Sequence, residues 1–319
     1  MKKMLTGLPG LISLLLGGAE LRSGTQETDQ IRSLHFDNAE RTFILHLPAS
    51  QHRKGPMPLL IVLHGGGGTA ADIVRITRSR FDALADRQGF IVAYPEALGS
   101  TPRAARHWND GRDVRFSKVD DVGFISALID DIARTSDIDA HRVYATGYSN
   151  GAQMCMRLAR DLSEKIASIA PVAYAMPERF ASLPVCPRPI SVMIITGTRD
   201  PLLPWEGGDT PDPAGDRFLG RILSVPASAR TIASRDHCSL SPRIIEEPVS
   251  NQRDSTRVHK VVYSGGDAGS EVVLYEIERG GHTWPGSLRR PRMNFLGETS
   301  RQINACDVIW EFLMAHPMQ

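Results

Sequence analysis

Val143-Tyr144-Ala145-Thr146-Gly147-Tyr148-Ser149-Asn150-Gly151 decides how this chain is read. An apolar strand runs into a G-x-S-x-G turn, and a helical pattern starts at Gly151-Ala152. That order predicts a nucleophile elbow, a sharp and strained strand-to-helix turn that lifts a serine hydroxyl above the sheet. The glycines flank the serine because a side chain there would collide with the neighbouring strand or helix. G-x-S-x-G alone arises by chance; the strand before it and the helical pattern after it give it weight.

Outward from the elbow, strands and helices alternate. Residues 42–47 read as a strand. Pro58-Leu59-Leu60-Ile61-Val62-Leu63 is a continuous apolar run that suits a strand buried on both faces of a parallel sheet. It ends in His64-Gly65-Gly66-Gly67-Gly68. Residues 70–87 place Ile73, Ile76, Phe81 and Leu84 at helical spacing and stop at Gly89. Residues 90–94, 168–173, 191–195 and 271–277 read as further strands, and residues 304–313 as an amphipathic closing helix. Asp120 and Asp121 precede Phe124, Leu128 and Ile132, so they mark a helix start, where negative charge is favoured. The alternation predicts a mostly parallel, doubly wound sheet. Residues 202–270, rich in Pro, Gly and Asp with a helical patch at 227–234, read as an insertion over the site.

A serine hydroxyl needs a base to take its proton and an acid to hold that base in the right tautomer. In a wound sheet such groups come from loops at the carboxyl ends of the strands. The chain order Ser, Asp or Glu, His is that of an α/β-hydrolase fold. Thr196-Gly197-Thr198-Arg199-Asp200-Pro201 and Gly280-Gly281-His282-Thr283-Trp284-Pro285-Gly286 supply that order. Ser149 is therefore the expected nucleophile, His282 the base and then acid, and Asp200 the orienting carboxylate. Glu278 lies too close in sequence to His282 to take the place of Asp200.

An ester oxygen gains negative charge on attack, and backbone N–H groups aimed at it stabilise it. The expected donors are the N–H groups of Asn150, Gly66 and Gly67. His64 is expected to brace that loop rather than do chemistry. A phosphate cradle is the rival reading of the glycines, but no Lys-Ser/Thr follows, which excludes a P-loop. A loose dinucleotide fingerprint over Gly65, Gly67 and Ala70 leaves the elbow, Asp200 and His282 without explanation. Trp108, Tyr148 and Trp284 are candidates to line the acyl pocket, with plain packing as the alternative for each.

At 319 residues, 41% hydrophobic and 23% charged, the chain has the composition of a globular protein with ample core. A net charge of +1 gives no reason to expect nucleic acid or an anionic membrane as partner. Residues 1–19 read as a signal peptide: Lys2 and Lys3, a short apolar stretch, then Gly17-Gly18-Ala19. The stretch is below the ~18 apolar residues of a spanning helix. A secreted or periplasmic protein follows, with a linker at 20–35, a single catalytic domain at 36–319 and no stable membrane insertion. Cys155, Cys186, Cys238 and Cys306 allow three full pairings, among which the sequence does not choose. Their spacing matches no zinc site and no H-E-x-x-H occurs, so no metal is expected.

The chain resembles the extracellular polyhydroxybutyrate depolymerase and feruloyl esterase group of α/β-hydrolases. The resemblance is carried by His64-Gly65-Gly66-Gly67-Gly68, Phe81-Asp82-Ala83-Leu84-Ala85-Asp86, Trp108-Asn109, Val119-Asp120-Asp121-Val122-Gly123-Phe124, Gly147-Tyr148-Ser149-Asn150-Gly151-Ala152, Gly197-Thr198-Arg199-Asp200-Pro201, Gly281-His282-Thr283-Trp284-Pro285-Gly286 and Val308-Ile309-Trp310-Glu311-Phe312. It implies the same triad and the hydrolysis of an ester through an acyl-enzyme, without a cofactor. The substrate it implies is a hydroxyalkanoate oligomer or a hydroxycinnamoyl or acetyl ester. Arg199 stands where the family has a small residue, able to pair with Asp200 or to reach substrate. The cysteine pattern is thinner than the family's, so its disulfides do not carry over. An acyltransferase or peptidase on the same fold is the alternative, and a non-catalytic binding protein a more distant one.

Overall fold

The structure is a computed structural model, and it describes residues 29–49, 55–99, 106–112, 118–183, 188–211, 218–288 and 291–319. The expected signal peptide and Cys186 lie outside the described residues.

In chain order the strands are β1 (Asp29–Phe36), β2 (Ala39–His46), β3 (Met57–Leu63), β4 (Ile91–Pro95), β5 (Ile138–Tyr148), β6 (Ser168–Val172), β7 (Ser191–Gly197), β8 (Gly208–Pro211), β9 (Phe218–Ile222), β10 (Arg243–Glu246), β11 (Arg257–Tyr263) and β12 (Val272–Glu278). The helices are α1 (Ala70–Thr77), α2 (Arg80–Gln88), α3 (Asp121–Thr135), α4 (Asn150–Asp161), α5 (Val225–Arg235) and α6 (Ala305–Ala315). Ten strands form one sheet in the order β1-β2-β4-β3-β5-β6-β7-β12-β11-β10. Its centre, β4 to β12, is parallel, and antiparallel strands finish both edges. This is the doubly wound α/β-hydrolase sheet the alternation predicts.

Every residue of β3 is buried, as its unbroken apolar run requires. Its side chains split by the strand's period of two: Leu59, Ile61 and Leu63 join one core, Leu60 and Val62 the other. The first core is closed by α3, α4 and α5 through Phe124, Met154 and Ala229. The second is closed by α1, α2 and α6 through Ile73, Phe81 and Ile309. Each such fully buried aliphatic or aromatic side chain stabilises the fold by about 1.5–3 kcal/mol. From β3 the chain winds to β4 on one side, and β5 then pairs with β3 on the other. That reversal opens a crevice at the carboxyl ends of β3 and β5, the general place for ligands in such sheets.

Three expectations need correction. The helix read over 70–87 is two helices, because Arg78 and Ser79 both adopt left-handed backbone (φ 57° and 49°) and end the first turn run at Thr77. The linker read over 20–35 overlaps β1, which pairs with β2 along its full length from Asp29↔His46 to Phe36↔Ala39. Its inward residues are only half-buried, so its alternation is weak. The insertion read over 202–270 is largely sheet and helix of the main body. β11 pairs with β12, β10 with β11, and α5 packs on β12. Only the β8–β9 pair stands as a separate small sheet. Cys155, Cys238 and Cys306 are free, buried thiols, and burial raises the pKa of each.

Candidate active site

Ser149 stands between β5 and α4 with φ 56° and ψ −114°. Its N–H donates to the Val172 carbonyl at 3.0 Å, which ties the turn to β6. A Cβ on Gly147 would lie 2.5 Å from the Gly151 carbonyl oxygen, and one on Gly151 would lie 2.5 Å from that of Leu63. Such distances exclude any side chain, so α4 can start hard against β3 only with glycine at both places.

The acid and base reach Ser149 from the ends of β7 and β12. These two loops are locked together by backbone. The Arg199 N–H donates to the Gly280 carbonyl at 2.8 Å, and a Cβ on Gly197 would run into that same oxygen. A Cβ on Gly281 would run into the Leu296 carbonyl, and the His282 N–H donates to that oxygen at 2.7 Å. His282 Nδ1 lies 2.7 Å from Asp200 Oδ2, and its Nε2 lies 2.9 Å from Ser149 Oγ. Asp200 Oδ1 accepts from the N–H groups of Leu202 and Leu203, each at 2.8 Å. A carboxylate held this way cannot swing toward solvent, and its free oxygen fixes the Nδ1–H tautomer of the imidazole. Both side chains are shielded, at 0% exposure for Asp200 and 4% for His282. The Tyr148 hydroxyl donates to the His282 carbonyl at 2.6 Å, with the two rings 5.2 Å apart.

On the other side of Ser149 lies the glycine loop. A Cβ on Gly65 would meet the Tyr148 ring at 3.1 Å and Ser149 Cβ at 3.6 Å. One on Gly66 would meet the His107 ring at 3.1 Å and Asn150 Cβ at 3.5 Å. The loop is therefore pressed against the first residue of α4, whose N–H is one of the helix's unpaired first-turn donors. Gly67 does not fit its expected part: its N–H already donates to the Arg106 carbonyl at 2.7 Å, so it is turned away from an incoming oxyanion. Among the described residues, no acceptor faces the Gly66 N–H.

His64 braces this loop. Its Nδ1 bonds the Gly65 carbonyl at 2.8 Å, and its Nε2 accepts from the Ala97 N–H at 3.1 Å. Those two bonds require the neutral ring, and burial, the dominant cause, brings its pKa down to about 4.

Trp108 and Trp284 are not pocket walls. Trp108 is fully buried and its indole N–H donates to the His64 carbonyl at 2.9 Å. Trp284, 2% exposed, meets Phe81 edge-to-face in the second core. Apolar area drew both rings inward, which is the packing alternative the sequence left open. Tyr148 is part-buried beside the triad. Arg199 points to solvent and makes no ion pair with Asp200 among the described residues.

Several residues the sequence did not single out hold the oxyanion side. The Asn150 side chain accepts from the Trp108 N–H at 2.8 Å and donates to Asp110 Oδ2 at 2.7 Å. Asp110 in turn pairs with Arg112 at 2.7 Å, both nearly buried. Burial opposes ionisation of Asp110, but the charge and hydrogen bonds of Arg112 outweigh it and hold the carboxyl below its usual range. Asp121 does not simply cap a helix: Asp120 does that, while Asp121 pairs with buried Arg41 at 2.6 Å and accepts from the Asn109 N–H at 2.7 Å.

The family model for esterase PHB depolymerase matches residues 41–174. NocK of Nocardia uniformis subsp. tsuyamanensis, which carries an esterase designation, is 31% identical over 92% of this chain and 85% of its own length. Feruloyl esterase B of Piromyces equi is 29% identical over 76% of this chain and 42% of its own length. The acetyl xylan esterase structure from Aspergillus awamori superposes with a TM-score of 0.54 over 84% of this chain and 98% of that one, at 14% identity, a likeness of fold. With an elbow, a wound sheet and a near relative over almost its whole length, the chain belongs to the esterase PHB depolymerase family of carboxylic ester hydrolases.

Proposed function

We propose that the protein is a serine esterase working through an acyl-enzyme, with Ser149 as nucleophile, His282 as base then acid, and Asp200 as orienter. The observation that carries this reading is the continuous chain Asp200–His282–Ser149, with contacts of 2.7 and 2.9 Å. His282 Nε2 takes the hydroxyl proton as Oγ attacks the ester carbonyl, and returns it to the departing alcohol oxygen. Water then enters, gives its proton to the same nitrogen, and releases the acid. The N–H groups of Asn150 and Gly66 face the developing oxyanion, each contributing about 3 kcal/mol to the transition state.

The substrates proposed are hydroxyalkanoate oligomers and hydroxycinnamoyl or acetyl esters, on the strength of the relatives' names. The N-terminal segment supports export, and no helix among the described residues is long and apolar enough to cross a membrane. A panel of p-nitrophenyl acyl esters, methyl ferulate and hydroxybutyrate oligomers tests the reading. Ser149→Ala should lower kcat by about 10⁶-fold and abolish labelling by a fluorophosphonate. Turnover of these esters at the wild-type rate by Ser149→Ala would remove the serine from its role.

A further inference from the structure

At the opposite end of the sheet from Ser149, four side chains from three elements converge. His46 ends β2 and pairs across the ladder with Asp29 of β1. It also pairs with Val92, at the start of β4, and so sits at the amino end of the parallel strands. Asp82 and Asp86 lie one turn apart on the face of α2 that covers this corner. Oxygen or nitrogen atoms of Asp29, His46 and Asp82 all lie within 4.8 Å of one another.

We propose that this corner is a site for a divalent cation of the Zn²⁺ class, bound by His46 Nε2 with the carboxylates of Asp86 and Asp82. His46 is only 3% exposed, yet its Nε2 has no hydrogen-bond partner. That nitrogen stands 3.4 Å from Asp86 Oδ1. This is too long for a good hydrogen bond and close to the separation of two ligands around one ion. An ion about 2.0–2.1 Å from each would subtend an angle near the tetrahedral value. The other ring nitrogen, Nδ1, lies 2.6 Å from Asp29 Oδ1. A histidine that gives its second N–H to a carboxylate leaves a lone pair on Nε2, the arrangement found behind most metal-bound imidazoles. Tyr94 holds Asp82 in the same way, its hydroxyl donating to Oδ1 at 2.5 Å.

Charge argues in the same direction. Asp29, Asp82 and Asp86 crowd one imidazole, and no Lys or Arg pairs with any of them among the described residues. Like charges one helical turn apart repel, so two carboxylates on α2 facing a third on β1 need a counter-charge. A bound cation would supply it and clamp the β1–β2 edge to α2. The ligands come from three elements, so no linear zinc spacing announces them.

The test is titration of chelator-stripped, purified protein with ZnCl₂ by calorimetry, beside His46→Gln and Asp86→Asn. Wild type should take up one equivalent, and its Tm should rise by about 5 °C at a hundred-fold excess over Kd. Both variants should bind at least about ten-fold more weakly. Equal affinity in wild type and both variants, or no stoichiometric uptake by wild type, overturns the proposal. Anomalous diffraction at the zinc edge on wild-type crystals decides independently of how the variants fold. A peak about 2.1 Å from His46 Nε2 supports the site, and a zinc peak elsewhere only overturns it.

Discussion

On one side of Ser149 the chain offers side chains, and on the other it offers backbone. The Asp200–His282 side is fixed at short range, through glycines whose backbones touch and N–H groups that hold the carboxylate. The glycine-loop side is fixed at long range: His64, Trp108, Asn150, Asp110 and Arg112 form one hydrogen-bonded chain drawn from separate loops. Reactive groups can be positioned by their own loops. A pair of N–H donors has no side chain to hold it, so its place depends on what packs behind it.

If that contrast holds, damage on the two sides should differ in kind. The largest effect is expected from His282→Ala, which should lower kcat by about 10⁶-fold with an unchanged melting curve. Asp200→Asn should cost about 10⁴-fold, since the amide no longer fixes the Nδ1–H tautomer. Activity of Asp200→Asn close to wild type would remove that carboxylate from the site.

Asp110→Asn probes the other side. Its new amide would face the donors of Asn150 and Arg112, and a displaced oxyanion donor should lower kcat by about 10²-fold with little change in KM. Leaving Arg112 buried and unpaired should also destabilise the fold by about 3–5 kcal/mol. Unchanged kcat beside a lowered Tm would show that the ion pair serves stability alone.

The smallest effect is a pH dependence. His64 is held neutral with a pKa of about 4, below the unfolded 6.5. The unfolded chain therefore binds the proton first, and stability should fall as pH drops from about 6.5 toward 4, by about 3 kcal/mol in all. Asp236 acts oppositely. Burial raises it from 3.8 to about 6, so its contribution is present at low pH and lost as pH rises through about 6. Chemical denaturation of wild type, His64→Gln and Asp236→Asn across this window separates the two. A wild-type curve parallel to that of His64→Gln would deny the neutral brace.

The same contrast explains what could be read in advance. Ser149, Asp200 and His282 are reactive residue types set among glycines just past apolar strands, so their loops announced them. The oxyanion side was half legible: the glycine run pointed to the place, but only the contact with Arg106 reveals that the Gly67 N–H is occupied. Asp110 and Arg112 are ordinary charged residues in a polar loop, and nothing local shows that Asn150 needs them. The sheet's centre was plain because β3 is apolar throughout. Its edges were not, because β1 and β10 keep exposed apolar side chains such as Ile31 and Ile244.

The backbone at Ser149 has one more consequence. An L-residue at φ 56° and ψ −114° carries strain of about 1–3 kcal/mol, which glycine would shed. The molecule is thus less durable for being reactive, and selection for heat resistance alone would push this position toward glycine.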